Sequence, residues 1–462
     1  MDSSGSTTGV RCAAAQPPEG LIESRSSLRR MDADPARTIR IGLLGCGTVG
    51  GALAELIDQQ APAIQARTGL RLQITRVAVR DVTRDRGVAL GDHVLTSDAR
   101  SVVTDPEIDL VVEVIGGVEP ARELISVALE AGKPVVTGNK ALLANHGAEL
   151  FATADRCGVD LLFEAAVAGG IPLIRPLRES LLGEPITRVM GILNGTTNYI
   201  LTKMTEDGAE YADALAEAQA LGYAERDPSA DVEGYDAGAK AAIIASIAFG
   251  AEVVADDVYH EGIAGITAAD IAVARRLGYV VKLLGIAECD GATGEIAVRV
   301  HPAMVPLQHP LASVREAYNA VFVEGGAVGS LMFYGRGAGG RPTASAVLGD
   351  VIDAAVNLSK KTHGTLGTFA DARIKGIDAT SAEYLIGLDV ADQPGVLHQV
   401  TGVFAEHGVS IRAAEQEGLA DEARLVFITH TAVEADVQAT VRSLRDLPTV
   451  RRVRSLIRVL GA

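Results

Sequence analysis

The feature that most constrains this chain is Gly45-Cys-Gly47-Thr-Val-Gly50. Alone, GxGxxG spacing describes an ordinary glycine turn as well as a nucleotide loop. Here it closes an apolar run over residues 38–44 and opens a stretch of helical spacing over 48–59. A dinucleotide fold needs strand, turn and helix in that order. The glycines let the backbone approach a pyrophosphate, and the helix start offers free N–H groups and positive dipole. Gly45, Gly47, Thr48, Val49 and Gly50 are the candidate cofactor contacts.

The alternation continues downstream. Residues 71–79, 109–115, 134–137 and 159–163 read as strands, and 120–130 and 140–157 as helices, with Pro120 in a first turn. The segment 109–115 is a continuous apolar run, as buried parallel strands are. A doubly wound, Rossmann-type parallel sheet is predicted over 38–168. Residues 169–339 read as an α+β domain, and a helix over 342–358 completes the first domain within 340–358. Residues 359–381 are polar and read as a linker. Residues 382–462 run strand, helix, strand, strand, helix, strand, the βαββαβ ferredoxin-like plan. The expected class is therefore α/β, with two further units behind the parallel sheet.

Composition removes several functions. A net charge of −17 argues against nucleic acid and anionic membrane surfaces, which attract basic patches. The four cysteines, Cys12, Cys46, Cys157 and Cys289, form no CxxC pair, so a zinc site or a disulfide framework is not expected. A reducing cytoplasm fits. No apolar run is long enough to span a bilayer; the best candidate, 241–251, is bounded by Lys240 and Glu252 and reads as a buried helix. Residues 1–37 lack periodicity and the apolar middle of a secretory signal, so they read as a disordered tail. Met31 offers an alternative start to Met1.

Val79-Arg80-Asp81 ends the second strand. An acidic residue there would bond an unphosphorylated ribose, and an arginine would accommodate a 2′-phosphate. Arg80 favours NADP, and Asp81 keeps NAD open. Lys140 follows the fourth strand on the carboxyl side of the sheet. It could meet a phosphate, the nicotinamide region or a substrate carboxylate, or start a surface helix.

Residues 221–240, LGYAERDPSADVEGYDAGAK, are the most informative. Asp236 and Lys240 are spaced i, i+4 and share a helix face. A surface salt bridge is one reading. The other rests on the apolar flank 237–249: a partly desolvated lysine held by a carboxylate is poised for proton transfer.

The stretches GLLGCGTVGG, VVTGNKALLA, FEAAVAGGIPLIRPL, GILNGTTNYIL and LGYAERDPSADVEGYDAGAKAAI resemble the homoserine dehydrogenase family. The resemblance implies that Lys240 transfers the proton, that Asp236 orients substrate and lysine, and that Glu225 binds the substrate ammonium with Asp231 in support. It places Gly222, Gly337 and Gly339 at the cofactor. The segment carrying Glu164, Val167, Gly169 and Ile171 resembles the family's sodium loop, where backbone carbonyls hold the ion; a tight glycine turn is the alternative. Asn194 to Asn198 lines the site or is a structural turn. The implied reaction interconverts L-homoserine and L-aspartate 4-semialdehyde in threonine, methionine and isoleucine biosynthesis.

The C-terminal unit resembles ACT domains. Asp392, Gly395, Val396 and Leu397 mark its first strand–helix loop, where an amino-acid carboxylate could meet helix N–H groups. L-threonine is the expected effector, and a dimerisation module without effector is the alternative. A homodimer or homotetramer is expected. With no kinase-like segment before residue 38, the resemblance is to a monofunctional enzyme. Two rivals share the fold. An aspartate-semialdehyde dehydrogenase needs a nucleophilic cysteine, but Cys157 lies at the wrong end of the sheet. A non-catalytic nucleotide sensor has no use for the Asp236–Lys240 pair.

Overall fold

The computed structural model describes residues 37–461 except 89, 91–93, 366, 420 and 421. The tail expected over 1–37, with Met31, lies outside the described residues apart from Arg37, which opens the first strand. The first sheet takes β1 (Arg37–Leu44), β2 (Leu70–Ala78), β3 (Leu95–Thr96), β4 (Leu110–Glu113), β5 (Val135–Thr137) and β6 (Leu161–Leu162). Between them run α1 (Thr48–Thr68), α2 (Ala99–Thr104), α3 (Ala121–Glu130) and α4 (Lys140–Cys157). All strands are parallel, in the order β3-β2-β1-β4-β5-β6. Alternate side chains of a strand face opposite layers. Ile39, Ile41 and Leu43 thus enter one core, and Leu44, Val111 and Val135 the other, with α3 and α4. α1 runs nine residues past the expected end at Gln59 and takes Pro62 inside it. Ile57 and Ile64, either side of that proline, are both buried in the first core, which holds the helix together across the break.

The middle of the chain contributes β7 (Ile186–Ile192), α5 (Gly195–Glu206), α6 (Tyr211–Ala220), α7 (Ser229–Val232), α8 (Tyr235–Phe249), β8 (Ala251–Glu252) and β9 (Tyr259–His260). It continues with α9 (Ala268–Arg276), β10 (Tyr279–Cys289), β11 (Glu295–Pro306), β12 (Tyr318–Gly325), β13 (Gly329–Arg336) and α10 (Gly340–Lys360). Strands β13-β12-β7-β10-β11 form an antiparallel sheet. Ala241, Ala242, Ile244 and Ala245 of α8 are buried in the core that holds Leu193, Leu283 and Val300. α10 returns to the first sheet: Ala344, Val347, Val351 and Ala354 are buried with Ile39, Leu110 and Val136, covering the face that α2 to α4 leave open.

Residues 359–381, expected as a polar linker, are tied down instead. They hold β14 (Ala370–Asp371), paired with β8, and β15 (Arg373–Ile374), paired with β11. The last unit is β16 (Ser381–Ala391), α11 (Val396–Glu406), β17 (Ile411–Leu419), β18 (Glu422–Thr429), β19 (Ala432–Val433), α12 (Glu434–Arg445) and β20 (Val450–Val459). Its core packs Tyr384, Ile386 and Leu388 on Val400, Phe404 and Val441.

This unit does not stand apart. β20 pairs parallel with β11, Ala303 facing Arg458 and Met304 facing Val459, so both sheets are one. The buried Arg458 guanidinium bonds Glu434 at 2.8 Å and Glu261 of the middle domain at 2.6 Å, and the Tyr384 hydroxyl donates to Glu434 at 2.7 Å. Ser455 bonds Asp270, which also caps α9 through the Thr267 hydroxyl. The buried charged groups at the junction, Arg458, Glu434 and Asp270, are thus each partnered, as burial requires. No helix among the described residues is long and apolar enough to cross a membrane.

Candidate active site

The carboxyl ends of β1, β4 and β5 meet where the two larger domains face each other. A Cβ on Gly50 would lie 2.2 Å from the Gly45 carbonyl oxygen. Only glycine lets α1 start that close to the strand it follows. Gly45, Gly47, Thr48, Val49 and Gly50 thus stand together at this end of the sheet. Glu113, buried at the tip of β4, accepts from the amides of Ile115 at 2.8 Å and Gly116 at 3.1 Å, and from the Thr137 hydroxyl at 2.5 Å. One carboxylate therefore shapes the loops after β4 and β5. Asn139 caps α4 at the Leu142 amide and donates to the Gly117 carbonyl at 2.6 Å, which fixes the turn that presents Lys140.

The loop before α10 closes over this end. A Cβ on Gly169 would lie 2.3 Å from the Gly337 carbonyl oxygen, so the two loops touch through bare backbone. Ala168 and Gly169 both have left-handed φ, 56° and 54°. The buried Glu164 carboxylate accepts the amides of Leu173, Ile174 and Arg175, and its own amide donates to Asp350 at 2.8 Å. Among the described residues, the carbonyls of Val167, Gly169 and Ile171 receive no hydrogen bond. Asp350 also bonds Arg175 at 2.8 Å. Burial pushes the Asp350 carboxyl up to about 7 despite the arginine. No cluster of three or more His, Cys, Asp or Glu able to hold a metal occurs among the described residues.

α8 delivers the predicted Asp236–Lys240 pair. Lys240 Nζ donates to Asp236 Oδ2 at 2.6 Å and to the Leu193 carbonyl at 2.7 Å. Lys140 reaches Asp236 Oδ1 at 2.8 Å from the other domain. Asn194 Nδ2 bonds Asp236 Oδ2 at 2.9 Å and Asp231 Oδ1 at 2.7 Å. Burial alone would raise the Asp236 carboxyl, but Lys240 and Lys140 outweigh it and hold it well below the usual carboxylate range. Burial likewise works against the Lys140 ammonium, and Asp236 overcomes it, raising that amine. Asp231 is pushed up, by burial first and against the bond from Asn194. Glu225, exposed on the loop after α6, lies close enough for its charge to act on Lys140. Gly222 turns the same loop, braced by the Thr196 hydroxyl on the Tyr223 carbonyl at 2.7 Å.

Two predicted groups stand elsewhere. Arg80 and Asp81 follow β2. Asp81 accepts from the Thr83 amide at 2.9 Å and hydroxyl at 2.7 Å, which holds its carboxyl below the usual range. Among the described residues Arg80 makes no side-chain hydrogen bond or ion pair. The other group lies in the C-terminal unit: Asp392, Gly395 and Leu397 are exposed around the start of α11, with Val396 buried beneath. None of the four lines the cleft nearby in the chain, which runs along the second half of α11 and the turn after it, between Thr401, Phe404 and Ser410. Sequence reasoning missed Glu113, Asn139, the Leu193 carbonyl and the Arg175–Asp350 pair. The acid in the otherwise apolar run DLVVEVI was the signal for the first of these.

A strand-tip nucleotide loop opposite a lysine–carboxylate pair defines an NAD(P)-dependent oxidoreductase. The NAD-binding domain of homoserine dehydrogenase matches residues 45–164, the homoserine dehydrogenase domain 172–352, and the ACT domain 384–449. A homoserine dehydrogenase of Corynebacterium glutamicum is 50% identical over 92% of this chain and 96% of its own length. The structure of one from Thiobacillus denitrificans superposes with a TM-score of 0.87 at 42% identity, over 92% of this chain and 99% of that one. A hyperthermophilic archaeal homoserine dehydrogenase, solved with NADPH, covers 69% of this chain and 98% of its own, at 32% identity and a TM-score of 0.60. The chain belongs to the homoserine dehydrogenase family.

Proposed function

We propose that this chain interconverts L-homoserine and L-aspartate 4-semialdehyde with NADP as the preferred cofactor. The observation that carries the reading is the division of Asp236 between Lys140 and Lys240 at the carboxyl end of a dinucleotide sheet. The bound nicotinamide supplies the hydride acceptor. The α1 start with Gly45, Gly47, Thr48, Val49 and Gly50 holds the pyrophosphate. Gly222, Gly337 and Gly339 bring backbone up to the cofactor. Arg80 takes the 2′-phosphate, because Asp81 is already engaged by Thr83. Glu225 holds the substrate ammonium, with Asp231 behind it. Lys240 Nζ takes the hydroxyl proton of homoserine in oxidation and returns it in reduction, and Asp236 aims the amine.

A sodium ion fits the loop of Glu164, Val167, Gly169 and Ile171. Three of its carbonyls lack donors among the described residues, and the Glu164 carboxylate is taken by amides, so only the Glu164 carbonyl is left to contribute. The ion would pin this loop against Gly337. The start of α11, with Asp392, Gly395, Val396 and Leu397, binds L-threonine and lowers activity. The working form is a cytoplasmic homodimer or homotetramer.

Homoserine-dependent formation of NADPH tests the central reading. Turnover with homoserine and NADP, and none with NADPH and the acyl phosphate that an aspartate-semialdehyde dehydrogenase reduces, is the expected result. An enzyme inert toward homoserine would overturn it.

A further inference from the structure

The turn between β7 and α5 holds the catalytic pair from below. Leu193 contributes its carbonyl to Lys240, and Asn194 contributes its side chain to both neighbouring carboxylates. Asn194 is 5% exposed and does two separate things. Its Oδ1 accepts from the Thr197 amide at 2.9 Å and hydroxyl at 3.1 Å, capping α5. Its Nδ2 lies between Asp231 Oδ1 and Asp236 Oδ2. The direction of the amide is fixed at both ends: the Thr197 amide can only donate, and ionised carboxylates only accept.

The carboxylate oxygen that Asn194 touches is the one that holds Lys240. Asp236 Oδ2 receives Lys240 at 2.6 Å and Asn194 at 2.9 Å, while Oδ1 goes to Lys140. Without the amide, Oδ2 keeps only Lys240, and the carboxylate loses one of the two contacts that oppose its rotation toward Lys140. A neutral donor suits this place. A cation would add a third positive charge beside Lys140 and Lys240, and an acid would add a third negative one beside Asp231 and Asp236.

We propose that Asn194 is a positioning residue for proton transfer, holding the Asp236 carboxylate in the orientation from which it aims Lys240. This rests on Lys240 being the proton-transfer group. The charged groups facing Lys240 and its partner are Asp236 on the same helix, Lys140 from α4 and Asp231 from α7, with Glu225 beyond Lys140. His260 of β9 packs against Gly238, between the two catalytic positions on α8. Oxidation of homoserine needs the neutral amine. Loss of a donor from Asp236 leaves its negative charge less compensated, which favours the ammonium and moves the working range to higher pH.

The test uses Asn194→Ser and Asn194→Asp in the full chain. Serine and aspartate both cap helices well, so α5 keeps its start while the bridging amide is lost. Turnover in homoserine oxidation should fall about ten-fold or more in both, with the KM for NADP within about two-fold of the parent. The midpoint of the kcat–pH profile should rise, by about half a unit for serine and more for aspartate, which adds a charge. Turnover and profile like the parent's in both variants would overturn the proposal. So would lower turnover with an unmoved midpoint, which marks a scaffold. Lys240→Ala is run beside them: if it keeps turnover, the catalytic reading itself fails and the positioning role goes with it.

Discussion

Lys140, at the start of α4, and Asp236, near the start of α8, pair at 2.8 Å across the crevice between the nucleotide sheet and the catalytic domain. The same carboxylate pairs with Lys240 at 2.6 Å. Removing one lysine therefore does not orphan the acid, because the other still compensates it. Asp236 is held below its usual range, so its stabilising contribution is complete above about pH 4. Below that it is lost progressively as the pH falls toward the lowered value.

Lys240→Ala should cut turnover by about 10²–10⁴-fold, the usual worth of a general acid–base group. Binding of NADPH, followed by its fluorescence, should stay close to that of the parent, since Lys140 keeps Asp236 paired. Turnover within a few-fold of the parent would remove Lys240 from the mechanism.

Glu225→Ala should raise the KM for homoserine far more than that for NADP. The carboxylate is exposed on its loop and faces Lys140 without forming an ion pair with it, so it is available to a substrate ammonium. Such a contact acts in the ground state. Equal rises in the two constants would make Glu225 a structural residue of the loop.

Arg80→Ala should weaken NADP much more than NAD. The guanidinium fork makes paired, charge-assisted bonds to a phosphate, and the neighbouring acid is committed to Thr83. The ratio of kcat/KM for the two cofactors measures it, and an unchanged ratio assigns the preference elsewhere.

Asp350→Asn should change how stability depends on pH. The raised carboxyl keeps its proton in the folded chain up to about pH 7. The unfolded chain releases it near pH 4. Between those limits the folded state binds more protons, so stability falls as the pH rises, by at most about 1.4 kcal/mol per unit. Asparagine does not titrate. The melting temperature of the variant relative to the parent should therefore climb from pH 5 to pH 7 and then level off. A difference that stays flat over that range would place the Asp350 titration outside it.

The parallel sheet and the C-terminal βαββαβ unit were legible because each rests on local periodicity: apolar runs for buried strands, and turn residues between them. The ends were read less well. The helical spacing was read only to Gln59, yet packing of Ile57 and Ile64 carries α1 past Pro62 to Thr68. Asp236 and Lys240 could be found because they lie one helical turn apart. The Leu193 carbonyl comes from more than forty residues away, and a carbonyl carries no sequence signal at all; Asn194, equally distant, could be brought to the site only by the family resemblance. The pairing of β20 with β11 was hidden for the same reason. Backbone bonds join residues over 150 positions apart, and of the four arginines in β20 only Arg458 is buried, which nothing in the sequence singles out.

That shared sheet bears on how the molecule melts. A tethered regulator would unfold on its own, at its own temperature. Here, ending the chain near Thr380 would bare the edge of β11 and strip Glu261 and Asp270 of Arg458 and Ser455. The last eighty residues are thus part of the catalytic domain's cooperative unit. Calorimetry should record the two as one transition, with the shortened chain melting lower than the whole.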